Sequence, residues 1–309
     1  MKKEKWISLG IAAALILGGC HLLPGAPSDT IPPDTTPSSE ATSVPTEPST
    51  EPSVPPTTEL RIGWYEDGED RYYYDESGIM LTGWQAIGDT LYYFREDGRM
   101  ARGMVTIDGV EHFFSSAGAP ILLVNPWYKV PAGYEPDLVA LSTSISTSGQ
   151  KVDRSCYDAL LQMIADCNKE CPKVCVVSSY RTHEYQEGLF QKKVNFYLNQ
   201  GYGQEDAVEL AGTVVAVPGT SEHQLGLAVD IIDTRSWNLN EGQADLPAQQ
   251  WLMENSWKYG FILRYPEGTT NSTGIIYEPW HYRYVGKEVA KEIHELGITL
   301  EEYIIALTK

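Results

Sequence analysis

Two short stretches hold the side chains whose types and spacing could do chemistry. The first runs Thr220-Ser221-Glu222-His223-Gln224-Leu225-Gly226-Leu227-Ala228-Val229-Asp230-Ile231-Ile232, and the second Tyr277-Glu278-Pro279-Trp280-His281-Tyr282. Together they supply two ring-nitrogen donors, His223 and His281, and two acids, Asp230 and Glu278, set in apolar sequence. That composition suits a zinc ion held by three protein donors, with a fourth position left for water. A lone histidine beside an apolar run is ordinarily a core residue. A carboxylate at the head of an Ile-Ile pair is harder to place, because a buried charge needs a partner or a metal.

The elements that carry these residues are constrained by reach. On a continuous helix His223 and Asp230 would share a face but stand about 10 Å apart along the axis, whereas zinc ligands each lie about 2 Å from the ion. A break is therefore expected, and Gly226 permits one. Leu227 to Ile232 then reads as a short buried strand. Glu278 and His281 would face opposite sides of a regular strand. Pro279 cannot donate to a central ladder, so an edge or a bulge is expected there to re-aim one side chain. Apolar spacing predicts helices over Ser155–Glu170, Thr182–Asn199, Gln249–Tyr259 and Lys287–Leu296, and a buried strand over Val174–Val177 leading to Arg181. No regular βαβ rhythm links them, so the fold class is α+β.

The ordered pattern Ser221-x-His223-x-x-Gly226-x-Ala228-x-Asp230, then Glu278-x-Trp280-His281, resembles the VanY-type zinc D-alanyl-D-alanine carboxypeptidases. Ser178-Ser179-Tyr180-Arg181, Gln186 at its spacing after the arginine, and Gly260 to Pro266 resemble further blocks of that family, from about Val130 onward. The resemblance implies a compact zinc peptidase domain over 124–309, with a small antiparallel sheet flanked by helices. It implies His223, Asp230 and His281 as ligands of Zn2+ and Glu278 as general base. Arg181 would face the oxyanion or a substrate carboxylate, and Ser221, Gln186 and Tyr265 would contact peptide. The expected reaction removes the C-terminal D-alanine from peptidoglycan stem peptides. L,D-carboxypeptidases and D-Ala-D-Ala dipeptidases share these motifs, and a non-catalytic wall-binding protein is the alternative outside the enzymes. A cysteine nucleophile finds no support, since no cysteine lies near either histidine motif.

The residues before this domain point to a cell surface. Lys2, Lys3 and Lys5 precede an apolar run from Trp6 to Leu17, too short for a membrane span and suited to a secretory leader over 1–19. Leu17-Gly18-Gly19-Cys20 resembles a bacterial lipobox, which implies lipid on Cys20 and a place on the outer face of the cytoplasmic membrane of a Gram-positive bacterium. The rest of 20–60, rich in Pro, Ser, Thr and Glu, is expected to be a disordered spacer reaching on the order of 100 Å. Over 61–123 a twenty-residue repeat aligns Gly63-Trp64, Gly83-Trp84 and Gly103-Met104. Tyr72-Tyr73-Tyr74, Tyr92-Tyr93-Phe94 and His112-Phe113-Phe114 recur at one offset. Stacked β-hairpins are expected. The pattern resembles cell-wall- or choline-binding repeats, in which Trp64, Trp84, Tyr73 and Tyr93 could wall cages for a quaternary ammonium. A net charge of −19 argues against nucleic-acid partners. Cys156, Cys167, Cys171 and Cys175 allow at most one bridge, and a monomer is expected.

Overall fold

Each repeat folds back on itself because it carries left-handed turn residues between strands of aromatic and β-branched side chains. The computed structural model describes residues 60–88 and 90–308; the leader, Cys20 and nearly all of the spacer lie outside them. Strand β1 (Gly63–Asp67) pairs with β2 (Asp70–Tyr74), β3 (Gly83–Ile87) with β4 (Thr90–Phe94), and β5 (Gly103–Ile107) with β6 (Val110–Phe114), which also pairs with β7 (Pro120–Ile121). At the third turn Asp108 and Gly109 both have positive φ, 51° and 79°, the conformation of a type I′ hairpin. The hairpins join through rings. Trp64 meets Tyr92 of the next repeat at 5.0 Å, and Trp84 meets His112 of the next at 5.4 Å.

The larger part begins with the hairpin β8 (Leu138–Ala140) and β9 (Lys151–Asp153), which leads into α1 (Arg154–Glu170), capped by the Asp153 carboxylate. Then come β10 (Val174–Ser178), α2 (His183–Asn199), α3 (Gln204–Val214), β11 (Ala228–Asp233), α4 (Pro247–Asn255), β12 (Phe261–Leu263), α5 (Thr270–Thr273), β13 (His281–Tyr284), α6 (Lys287–Leu296) and α7 (Leu300–Leu307). Four strands form one antiparallel sheet in the order β10-β11-β13-β12. This is the expected α+β architecture with a small antiparallel sheet.

Alternation along the strands divides the sheet into two faces. Val176, Val229, Ile231 and Tyr282 join Leu160, Met163, Ile164 and Cys167 of α1 and Ala248 and Leu252 of α4 in one core. Asp230 and His281, one residue out of phase, point to the other face. None of Cys156, Cys167, Cys171 and Cys175 is paired.

The third repeat packs directly on this body. Phe113, Ile121 and Leu123 share a core with Val289, Ala290 and Ile293 of α6 and Leu300, Tyr303 and Ile304 of α7. The Met104 amide donates to Thr308 Oγ1 at 2.9 Å, and Ser116 Oγ donates to Glu292 at 2.7 Å. A Cβ on Gly103 would stand 2.5 Å from the Leu307 carbonyl carbon, so the approach requires glycine. Met104 stands where the other repeats have tryptophan because its neighbour is the peptidase body and not another hairpin. Among the described residues, no helix is long and apolar enough to cross a membrane.

Candidate active site

The sheet brings its chemistry together by register. Asp230 pairs with His281 across β11 and β13, and with Ser178 across β10 and β11, so one row of the sheet holds all three. A shift of register between Val176 and Ser178 kinks β10 just before Arg181. His223 arrives from outside the sheet on a 3-10 turn, Glu222–Leu225, which Gly226 ends at φ 73°. The expected break is therefore present. The second motif differs from expectation: Pro279 sits neither on an edge strand nor in a bulge. Tyr277 to Trp280 precede the strand, and the His281 amide closes a turn onto the Glu278 carbonyl at 3.1 Å. Proline suits the second position of such a turn, where no N–H is needed. β13, which follows, is a central strand.

Donor atoms of His223, Asp230 and His281 all lie within 4.8 Å of one another, and all three residues are buried. His223 Nε2 is 3.3 Å from Asp230 Oδ2, and His281 Nδ1 is 3.2 Å from Asp230 Oδ1. Ligands about 2 Å from a tetrahedral zinc stand roughly 3.3 Å apart. Asp230 Oδ1 is buried with no hydrogen-bond donor, as an oxygen meant for a cation would be. His223 Nδ1 lies 2.7 Å from the Ser179 carbonyl, which commits that nitrogen to the proton and turns Nε2 to the site. Two nitrogens and a carboxylate at this spacing fit zinc.

Glu278 lies beside these ligands, its Oε2 3.5 Å from His281 Nδ1. Burial pushes its carboxyl up to about 8, with the Asp230 charge adding to the rise and His281 opposing it. Burial lowers His223 to about 4, helped by Arg181. The same burial acts on His281, but the Asp230 and Glu222 carboxylates beside it overcome it and raise the ring to about 9. Arg181 Nη2 donates to Asp230 Oδ2 at 2.7 Å, and Nε and Nη2 both reach Ser178 Oγ.

A cleft of about 940 Å³ opens onto this centre. Ser221, Tyr265 and Trp280 line it. Gln186 does not line it. It is fully buried behind Arg181, accepting from Nη1 at 3.4 Å and donating to the Ala216 carbonyl, so it holds the arginine and not the peptide. Lys192 and Lys193, which sequence reasoning missed, do line it, on the α2 stripe that also carries Leu189 and Phe196. That i, i+3, i+4, i+7 spacing was legible, but nothing in the sequence marked the stripe as facing a cleft.

In the repeats, Trp64 is edge-on to Tyr73 at 5.2 Å and Trp84 to Tyr93 at 5.2 Å. The Arg71 guanidinium lies 4.4 Å over the Trp64 ring, where a quaternary ammonium would sit. The junction of Trp84, Tyr93 and His112 has no such cation on it among the described residues.

Fold and donor set together define a zinc hydrolase centre. A family model described as D-alanyl-D-alanine carboxypeptidase, VanY, matches residues 149–287, and one described as choline-binding repeat matches 62–103. A D-alanyl-D-alanine carboxypeptidase of Enterococcus faecalis is 42% identical over 185 residues, covering 60% of this chain and 65% of the relative. The Bacillus subtilis protein YodJ is 39% identical over 195 residues, covering 61% and 68%. The chain thus spans about two thirds of the length of these relatives. A solved vancomycin-resistance D,D-pentapeptidase, VanY, in complex with Zn(II) superposes with a TM-score of 0.53 at 40% identity, covering 59% of this chain and 97% of that one. The chain belongs to the VanY family of D-alanyl-D-alanine carboxypeptidases.

Proposed function

We propose that this protein removes the C-terminal D-alanine from peptidoglycan stem peptides, holding zinc with His223, Asp230 and His281. The observation that carries this reading is Glu278 standing 3.5 Å from a ligand nitrogen in a cleft roomy enough for a peptide. The dication supplies Lewis acidity, making water a usable nucleophile near neutral pH. Glu278 accepts the proton of the attacking water and passes it to the departing amine. Arg181 holds Asp230 in place and offers its remaining N–H to the developing oxyanion. Ser221 and Tyr265 orient the peptide. Lys192 and Lys193 have no carboxylate partner among the described residues, and two cations on the wall, Lys193 over the Phe196 ring at 5.3 Å, suit a stem peptide bearing acidic groups.

The repeats serve wall attachment, with the junction of Trp84, Tyr93 and His112 as the place for choline or another polymer group. Lipid on Cys20 would tether the chain to the outer face of the membrane, and the enzyme would act as a monomer. Digestion of defined penta- and tetrapeptide stems, weighed by mass spectrometry, tests the reaction. Loss of one alanine from the pentapeptide is expected. Loss from the tetrapeptide alone would make it an L,D-carboxypeptidase, release of a dipeptide a dipeptidase, and no cleavage of either a binding protein.

A further inference from the structure

The two histidines of the metal site present opposite ring nitrogens to it, and each arrangement needs its own cause. For His223 the cause is the Ser179 carbonyl at Nδ1. For His281 it is Nδ1 that faces the site, 3.2 Å from Asp230 Oδ1. Its far nitrogen, Nε2, is buried without a hydrogen-bond acceptor in range, and so is the nearest oxygen, Glu222 Oε2, 3.7 Å away. These two unsatisfied atoms face each other. A closure of about 0.7 Å would give an ordinary N–H···O length.

The other oxygen of Glu222 is already committed. Oε1 accepts from Arg264 Nε at 2.8 Å and from Arg283 Nη1 at 2.6 Å. Both arginines are anchored in turn. Arg264 Nη1 donates to Glu301 Oε2 on α7 at 2.9 Å, and Arg283 Nη2 to the Leu122 carbonyl at 2.6 Å. Two fixed cations hold one oxygen and leave its twin aimed at the imidazole. A buried ion cluster alone would not require that second oxygen to be left open toward a ligand histidine. We propose that Glu222 is a positioning residue, whose Oε2 accepts a hydrogen bond from Nε2–H of His281 and so fixes Nδ1 as the nitrogen that faces the metal. The assignment rests on the zinc centre of His223, Asp230 and His281. It places Glu222, adjacent in sequence to one ligand, in the service of the other.

The test is long-range 1H–15N correlation of histidine side chains in the zinc-loaded full chain, with zinc affinity measured by chelator competition. In the wild type, His281 is expected to be protonated at Nε2 and ligated through Nδ1. Ligation through Nε2 would overturn the assignment while leaving the zinc centre standing, whereas a protein that takes up no zinc would overturn both. Glu222→Asp keeps the negative charge beside the two arginines but withdraws the carboxylate from the ring. It should weaken zinc binding by about 10–100-fold and, in the zinc-loaded protein, mix ligation through Nδ1 with ligation through Nε2 of His281. Wild-type affinity and a single tautomer in that variant would refute the role. Glu301→Gln loosens Arg264 without touching His281 and should keep the wild-type tautomer. Equal loss of the tautomer in both variants would reduce Glu222 to a member of the ion cluster.

Discussion

Burial raises the Glu278 carboxyl, and Glu278, unlike every other acid close to the metal site, has no arginine or lysine bonded to it to cancel the rise. The approach of a dication would draw its proton off. Glu278→Gln keeps the shape of the side chain but cannot accept a proton, so zinc content should be unchanged while turnover falls by roughly 10²- to 10⁴-fold. Turnover at the wild-type rate would remove Glu278 from the proton transfer. His281→Ala and His223→Ala, by contrast, should each lose most of the metal, read as zinc per chain after gel filtration, because a three-donor site loses a third of its ligands. The four chemistry-bearing residues were legible in the sequence, since so few side-chain types can bind a metal or move a proton. Gln186 and Glu222 were not. Their roles depend on which atoms lie across a turn or beside a strand, and polar residues near a site look alike in one dimension.

At the scale of elements, the break at Gly226 was readable because helix rise and metal reach cannot both be satisfied without it. Pro279 was expected on an edge or in a bulge because a proline inside a strand and one in a turn just ahead of a central strand look alike in sequence. Helices α3 and α7 were not expected, although Thr299 and Glu302 form a capping box that announces α7. The α2 stripe gives a further prediction. Lys193 lies near enough to Glu278 for its charge to act on that carboxyl. Lys193→Ala should raise KM several-fold for stems carrying a free side carboxylate, and much less for their amidated counterparts. Equal effects on both would leave the lysines without a substrate role. Asp233 closes β11 and receives the Ala248 amide at the start of α4, as well as Arg235. Burial would raise its carboxyl, but these bonds overcome it and hold the group below its ordinary value. Its contribution to stability is therefore present above the unfolded value near ~4 and is lost as pH falls through the lower folded one. Acid unfolding followed by circular dichroism should show a shallower pH dependence for Asp233→Asn.

For the whole molecule, the repeat period was plain in the sequence, but the fate of the third repeat was not. Met104 takes the place of the repeats' tryptophan, and in the fold it belongs to the joint with α7. Trp84→Ala should weaken retention on isolated cell walls without altering hydrolysis of a small soluble peptide, and unchanged retention would take Trp84 out of wall binding. Gly103→Ala meets both a left-handed backbone and the Leu307 carbonyl. It should lower stability by about 1–3 kcal/mol in thermal unfolding and expose the repeats to protease. That joint also sets how the molecule hunts. With the last hairpin buried against α6 and α7, the third repeat is held on the peptidase body, so on the proposed function a polymer gripped beside it would meet the cleft at one bearing. Stems pointing away from that bearing would then stay out of reach until the whole body let go and took a new hold. The spacing of trimmed stems along a strand should then carry the pitch of the grip.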